Sequence, residues 1–311
     1  MSKIDIHNFK RRLELVELSL GKMDLPGNDL QLIHEYRDRC FADGLSYARV
    51  TKYLHELKGL YVRGMCSIPG ARQADIISIL AHIEREDLSG WAKHDFRLAL
   101  RKYLAFCGRP DFAVLIKLPN CGTHKLPEEL LTPEDIGVLM AFAPDPMMQA
   151  MLITLYESGC RIGELMGIRR KHVQMDAMGV VLIVDGKTGM RRVRVIEAAQ
   201  YLDIWISEGS IKQDEPIFPI KYPAFKKRLQ ALAVRAGIDK RIYPHLFRHS
   251  RATFLASYLT EAQLCAYFGW TIGSSMPRIY VHLRSKDLDS TLMNVPAVLT
   301  TARSHGAILA A

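Results

Sequence analysis

Five short motifs in the second half of the chain carry side chains that could do chemistry on a phosphate ester. An arginine keeps its positive charge and can bind two phosphate oxygens at once, lysine and histidine can transfer protons, and a tyrosine hydroxyl can act as a nucleophile. In chain order the motifs are Gly159-Cys160-Arg161-Ile162-Gly163-Glu164-Leu165, Gly186-Lys187-Thr188, His245-Leu246-Phe247-Arg248-His249, Gly269-Trp270 and Tyr280.

Two of these motifs resemble known ligand-binding patterns, but each lacks a residue that its pattern requires. Gly186-Lys187-Thr188 ends like a phosphate-binding loop, but that pattern needs a glycine where Val181 stands, so a solvated hairpin turn is the simpler interpretation. His245 and His249 are four residues apart, as in zinc-binding helices, but the glutamate of the His-Glu-x-x-His pattern is missing. We therefore predict no metal site and no cofactor.

The other motifs, taken singly, have structural explanations as well. Arg161 and Glu164 could be an ion pair one turn apart at the start of a helix. Trp270 and Tyr280 could be ordinary packing residues of a core.

In their order and spacing, however, the five motifs together resemble the catalytic domain of the tyrosine recombinase (phage-integrase-like) family. The resemblance covers residues ~129–285, whereas residues 1–120 resemble the family's core-binding domain only in being a helical bundle. It places six side chains in the active site, with Glu164 and His249 as supporting residues beside them. The six are Tyr280, Arg161, Lys187, His245, Arg248 and Trp270.

Two details of the resemblance concern the end of the site. Trp270 stands where histidine is commoner in the family, and tryptophan is a known alternative there. The ten-residue interval from Trp270 to Tyr280 is similar to that of some integrases of archaeal mobile elements. Tyr267 and Tyr258 stay as alternative nucleophiles.

The resemblance also implies a mechanism. Tyr280 would attack a DNA phosphate, forming a 3′-phosphotyrosyl link and releasing a 5′-hydroxyl. The two arginines and the indole N–H would neutralise the charge that develops on the non-bridging oxygens, without metal or ATP. Lys187 would protonate the departing oxygen, His245 would accept the tyrosine proton, and Glu164 would orient Arg161.

This chemistry predicts a site-specific DNA recombinase or integrase that exchanges strands between two sites, working as a tetramer on two duplexes. A type IB topoisomerase shares the chemistry but relaxes supercoils without exchanging partners. A catalytically inactive DNA-binding regulator is the third alternative, and the complete set of six catalytic residues argues against it. The apolar segment 292–299 could dock on a neighbouring subunit or pack on its own domain.

The charge of the whole chain favours double-stranded DNA as the partner. The net charge is +9, and the excess of positive charge is spread over both halves of the chain. Two basic domains suit a protein that grips a polyanion. The six cysteines include no Cys-x-x-Cys pair, which indicates reduced thiols. Neither an apolar run of ~20 residues nor a signal peptide is present. We therefore expect a cytoplasmic protein without membrane contact.

Hydrophobic periodicity predicts a mainly α fold with a small antiparallel sheet, in the two-domain tyrosine-recombinase architecture. We place a helical core-binding, DNA-binding domain at 1–120, a linker to about 128, and a catalytic domain with its C-terminal segment at 129–311. The β-branched run 180–184 and the alternating residues 193–196 predict a hairpin with Lys187 in its turn. Helix starts are expected near Asn28, Ser46, Ser89, Thr132, Pro146, Arg161, Tyr222, Pro244 and Glu261.

Overall fold

A computed structural model of the chain describes residues 5–63, 67–121, 129–186 and 188–282, with the side chains of residues 281 and 282 left out. These residues belong to two compact units, one within His7–Thr123 and one formed by those within Met1–Ile6 and His124–Ala311. None of the helices in the described ranges is long and apolar enough to cross a bilayer.

The first unit is helical throughout its described part. Its core is built around α3, which packs against α1, α2 and α5. Val50, Leu54 and Leu57 lie on one face of α3 and are fully buried, as their spacing predicts. The helices are α1 (Phe9–Leu20), α2 (Asp29–Ala42), α3 (Tyr47–Val62), α4 (Gln73–Arg85), α5 (Gly90–Phe106) and α6 (Pro110–Leu115).

The second unit packs its helices around α8. The helix is buried on every side from Ala150 to Ser158, and it contacts α7, α10 and α12. Such a helix is a central core element rather than an amphipathic surface helix. The helices are α7 (Pro133–Ala141), α8 (Pro146–Ser158), α9 (Ile162–Met166), α10 (Ala198–Glu208), α11 (Tyr222–Arg235), α12 (Pro244–Leu255), α13 (Glu261–Phe268) and α14 (Met276–His282).

A small antiparallel sheet completes the second unit. Its strands β1 (Val173–Asp176), β2 (Gly179–Gly186) and β3 (Gly189–Val195) are hydrogen-bonded in that order. Gly186, the last residue of β2, pairs with Gly189, the first residue of β3, at the closed end of this hairpin. The predicted hairpin and the mainly α fold class are confirmed, while Lys187 itself lies outside the described residues.

Candidate active site

The first arginine of the site lies where α8 ends and α9 begins. Gly159 ends α8 in a left-handed conformation (φ 56°), and a Cβ atom there would lie 2.3 Å from the ring of Phe268. The backbone conformation and the close packing both require glycine. Two residues later, Arg161 is the N-cap of α9, and 32% of its side chain is exposed.

Glu164 holds the Arg161 guanidinium from the first turn of α9. Its carboxylate accepts hydrogen bonds from the backbone N (3.0 Å) and the Nη1 (2.7 Å) of Arg161, and from the Nη2 of Arg191 on β3 (2.7 Å). Burial of Glu164 works against its charge, but the hydrogen bonds and charges of Arg191 and Arg161 hold the pKa of the carboxyl below its usual value. The ionised carboxylate therefore joins two arginines.

Arg191 connects three segments of the site. Besides its ion pair with Glu164, its Nε donates a hydrogen bond of 3.0 Å to the backbone oxygen of Tyr267. Its Nη1 lies against two glycines, because a Cβ atom at Gly186 or Gly269 would come within 2.8 or 2.9 Å of it. The side chain thus ties the end of the hairpin to α9 and to the turn after α13.

We expect Arg191→Met to lower the free energy of unfolding by about 3 kcal/mol, because a buried carboxylate would lose one of its two charged partners. Urea denaturation measures the change. Arg192→Met is the matched control, since Arg192 is the exposed neighbour on the same strand. Equal, small effects of the two substitutions would mean that the pair with Glu164 does not hold these segments together.

The second arginine of the site, Arg248, is fixed by two helix ends. It is 4% exposed on α12, and its guanidinium donates hydrogen bonds to the backbone oxygens of Gly159 (2.8 Å) and Phe268 (2.7 Å). Carbonyls at helix C-termini carry partial negative charge, which favours a cation there. Burial, and after it the charge of Arg161, lowers the pKa of Arg248 to about 10, so the side chain is still charged at neutral pH.

The tyrosine lies beside these groups. Tyr280, on α14, is 2% exposed, and its ring stacks on Trp270 with centroids 5.3 Å apart and an interplanar angle of 5°. Its hydroxyl is 2.8 Å from the Nδ1 of His249. Burial raises the pKa of Tyr280 to about 12, although the charges of Arg248 and Arg161 act in the opposite direction.

Both histidines of the His-x-x-Arg-His motif lie on this side of α12. Their ring centroids are 6.5 Å apart, with His245 exposed and His249 half-buried. The Tyr280 hydroxyl is hydrogen-bonded to His249, which the resemblance gave only a supporting role. The resemblance instead implied that His245 accepts the proton of Tyr280. Lys187 lies outside the described residues, but its neighbour Thr188 donates a hydrogen bond of 3.2 Å to the backbone oxygen of Gly269.

The alternative nucleophiles Tyr267 and Tyr258 have different surroundings from Tyr280. The Tyr267 hydroxyl donates to the backbone oxygens of Glu157 (2.7 Å) and Arg194 (3.3 Å), and burial raises its pKa to about 12. Tyr258 lies just after α12 with 68% of its surface exposed.

The sequence suggested Arg191 only as a fallback for the acid role of Lys187 and did not predict its contacts with the other residues of the site. On β3, every second residue from Arg191 onward faces the same side, so Arg191 shares a face with Val193 and Val195. Both valines are fully buried. This period of two was the available signal, since it puts Arg191 on the inner face of the strand.

In the parts of the chain that the structure describes, no three His, Cys, Asp or Glu side chains are grouped to hold a metal ion.

A comparison with protein-family models decides the family. Residues 129–287, about half of the chain, match the model of the phage integrase family. The chain belongs to this family, the tyrosine recombinases. The match contains all five motifs on which the resemblance was based.

Curated relatives of this tyrosine recombinase include members of the Xer group. The tyrosine recombinase XerC of Xylella fastidiosa is 33% identical over 145 residues, which cover 42% of this chain and 48% of the relative. The tyrosine recombinase XerD of Vibrio cholerae is 24% identical over 289 residues, covering 84% of this chain and 94% of the relative. The chain therefore spans about half the length of the first of these relatives and nearly all of the second.

Solved structures show the same fold. A lambda integrase dimer bound to a COC′ core site has a TM-score of 0.66 at 15% identity, covering 82% of this chain and 77% of that chain. A lambda integrase tetramer bound to a Holliday junction has a TM-score of 0.63 at 13% identity, covering 80% and 76%. The predicted two-domain tyrosine-recombinase architecture is confirmed.

Proposed function

We propose that this tyrosine recombinase is a site-specific DNA recombinase or integrase that cleaves and rejoins DNA through a 3′-phosphotyrosyl bond to Tyr280. One observation carries the proposal. The buried hydroxyl of Tyr280 lies where the charges of Arg161 and Arg248 both act on it, beside a histidine. A nucleophile, two guanidiniums and a proton acceptor in one place suit attack on a phosphodiester.

The arginines and Trp270 stabilise the transition state in this proposal. Attack on phosphorus increases the negative charge on the non-bridging oxygens. Arg161 is held by Glu164 and Arg248 by two backbone carbonyls, so both guanidiniums are in position before DNA binds. Such preorganised charge requires little rearrangement during the reaction, and the Trp270 N–H adds one further donor.

Proton transfer to the departing 5′-oxygen is assigned to Lys187. Its two neighbours in the hairpin support this assignment. Gly186 packs against the carboxylate of Glu164, and Thr188 is hydrogen-bonded to the backbone oxygen of Gly269. The resemblance implied that His245 accepts the tyrosine proton. Because the Tyr280 hydroxyl is hydrogen-bonded to His249, His245, exposed near the start of α12, is assigned a contact with the scissile phosphate instead.

The partners in this proposal are double-stranded DNA with a specific target site and further copies of the same chain. The net charge of +9 supports contacts with phosphates from both units. The working form is a tetramer on two duplexes, and the lambda integrase tetramer on a Holliday junction supports that stoichiometry. The protein acts in the cytoplasm and needs no cofactor.

We expect Arg161→Ala to slow DNA cleavage by about 10²-fold or more, because one of the two charges facing the phosphate would be lost. Cleavage by the unchanged protein should be the same with and without EDTA. Both are measured as the rate of covalent adduct formation on a nicked suicide substrate. Arg192→Ala, which removes an exposed arginine elsewhere on the same unit, is the control. A requirement for a divalent cation in the cleavage step would contradict this mechanism.

Two assays distinguish recombination from the alternative functions. A plasmid with two target sites reports strand exchange, and a supercoiled plasmid without sites reports relaxation. A recombinase exchanges the two sites, whereas a type IB topoisomerase relaxes both plasmids and exchanges nothing. A protein that binds DNA but produces neither change is an inactive regulator. Either of the last two results overturns the proposed function.

A further inference from the structure

The hydrogen bond between Tyr280 and His249 assigns a partner to the nucleophile. The hydroxyl oxygen is 2.8 Å from Nδ1, and the two ring centroids are 5.8 Å apart with an interplanar angle of 33°. The stack of the Tyr280 ring on Trp270 holds the hydroxyl in this position. Nδ1 accepts the hydrogen bond in the tautomer that carries its proton on Nε2.

We propose that His249 is the catalytic residue that accepts the proton of Tyr280 during DNA cleavage and returns it during rejoining. This inference rests on the proposed function, because it concerns the same nucleophile. It reassigns a role that the family resemblance implied for His245.

Burial explains why the tyrosine needs a nearby proton acceptor. The pKa of Tyr280 is raised to about 12 in spite of the two arginines, so the phenolate is rare at neutral pH. Besides Arg248 and Arg161, Tyr243 acts electrostatically on the hydroxyl, and its influence also disfavours the phenolate. A histidine within hydrogen-bond distance can take the proton as the new bond forms, so a free phenolate is never needed.

The Oη of Tyr280 forms a bond to phosphorus while the bond from phosphorus to the 5′-oxygen breaks. The proton of Oη passes to Nδ1 of His249, and the 5′-oxygen receives a proton from the acid assigned to Lys187. In rejoining, a 5′-hydroxyl attacks phosphorus and gives its proton to the group assigned to Lys187, the bond from phosphorus to Oη breaks, and His249 gives its proton back to Oη.

His245 is the natural control because it lies one helical turn from His249 on the same side of α12. Its side chain is exposed near the start of the helix, where a DNA phosphate can reach it. Loss of His245 should therefore impair a contact with the phosphate and leave the transfer of the tyrosine proton intact.

The test changes the acidity of the nucleophile. Site-specific incorporation of 3,5-difluorotyrosine at position 280 gives a hydroxyl that ionises at a lower pH than tyrosine. Full-length proteins with either residue at 280 are combined with His249→Ala, His249→Asn or His245→Ala. Each variant's rate of adduct formation is divided by the rate of the protein that has both histidines and the same residue at 280.

With tyrosine at position 280, we expect His249→Ala to slow cleavage by about 10²–10⁴-fold. With difluorotyrosine the loss should shrink to less than about tenfold, because a more acidic hydroxyl gives up its proton with less help from a base. His245→Ala should cause the same loss with both nucleophiles. A His249→Ala loss that is equal for the two nucleophiles overturns the proposal, as does a loss that shrinks for His245→Ala instead.

His249→Asn separates proton transfer from positioning. The asparagine amide oxygen can accept the hydrogen bond of Tyr280 but cannot take its proton. This variant should fold and bind DNA normally yet cleave as slowly as His249→Ala, and a cleavage rate near that of the unchanged protein refutes the catalytic role. Failure of the proposed function has a different signature, because then the unchanged protein forms no adduct at all or Tyr280→Phe still forms one.

Discussion

Tyr280→Phe is expected to abolish covalent attachment to DNA while DNA binding stays unchanged. The substitution removes only the hydroxyl, and a phenylalanine ring can keep the stack on Trp270 that fixes the position of α14. No other change removes the nucleophile so selectively. The adduct is measured as SDS-resistant protein on a nicked suicide substrate, and binding is measured by mobility shift on the same DNA.

Tyr267→Phe is the matched control for this substitution. Tyr267 is another tyrosine of the same unit with its hydroxyl hydrogen-bonded, but its partners are the backbone oxygens of Glu157 and Arg194. Its loss should cost about 1 kcal/mol of stability and leave the adduct intact. An adduct that persists in Tyr280→Phe would move the nucleophile to Tyr267 or Tyr258.

Local signals in the sequence predicted the parts of the fold that local chemistry determines. Thr132 caps α7 and Ser89 caps α5 through their side chains, and both are at the expected positions. The hairpin of β2 and β3 was predicted from the β-branched run 180–184 and the alternating residues 193–196. Each of these features depends on residues only a few positions apart.

Elements that depend on distant partners were missed. The start of α10 has no capping side chain of its own, and the carboxylate of Glu157 instead accepts hydrogen bonds from the backbone N–H groups of Ile196, Glu197 and Ala198. A cap some forty residues away leaves no local trace in the sequence. Strand β1 was missed because it has four residues and only Val173 is buried, too short a segment for a period to be read.

In the candidate site, too, features that depend on local sequence were predictable and features that depend on distant partners were not. The motif order predicted the residues of the site, but the sequence could not decide which histidine of His245 and His249 lies against the tyrosine. Both lie on one side of α12, so the choice depends on where α14 packs. The partners of Arg248 were equally hidden, because they are backbone oxygens at the ends of two other helices.

Lys187→Ala is expected to slow cleavage of ordinary DNA by about 10²–10⁴-fold, which is the contribution of a general acid to a poor leaving group. The residues on either side of Lys187 support that role. Gly186 lies so close to the carboxylate of Glu164 that a Cβ atom would come within 2.8 Å of it, and Thr188 is bonded to Gly269 next to Trp270. Gly186 and Thr188 therefore both lie beside the candidate site.

Two basic residues near the hairpin could be considered for the same role, and their contacts argue against both. Arg191 is buried in its ion pair with Glu164, and an arginine does not give up its proton at neutral pH. Lys171 forms a surface ion pair with Asp214. Lys171→Ala is therefore the control variant and should cleave at the normal rate.

A substrate with sulfur in place of the bridging 5′-oxygen separates acid catalysis from any other role of Lys187. The leaving group is then a thiol with a pKa near 8.5, which departs without a proton donor. On this substrate Lys187→Ala should cleave within about tenfold of the unchanged protein, because the step that needs the acid is no longer slow. Arg161→Ala should stay slow on both substrates, since the non-bridging oxygens still develop charge. If Lys187→Ala is as slow on sulfur as on oxygen, the lysine binds a phosphate or supports the turn, and the departing oxygen must obtain its proton from another group.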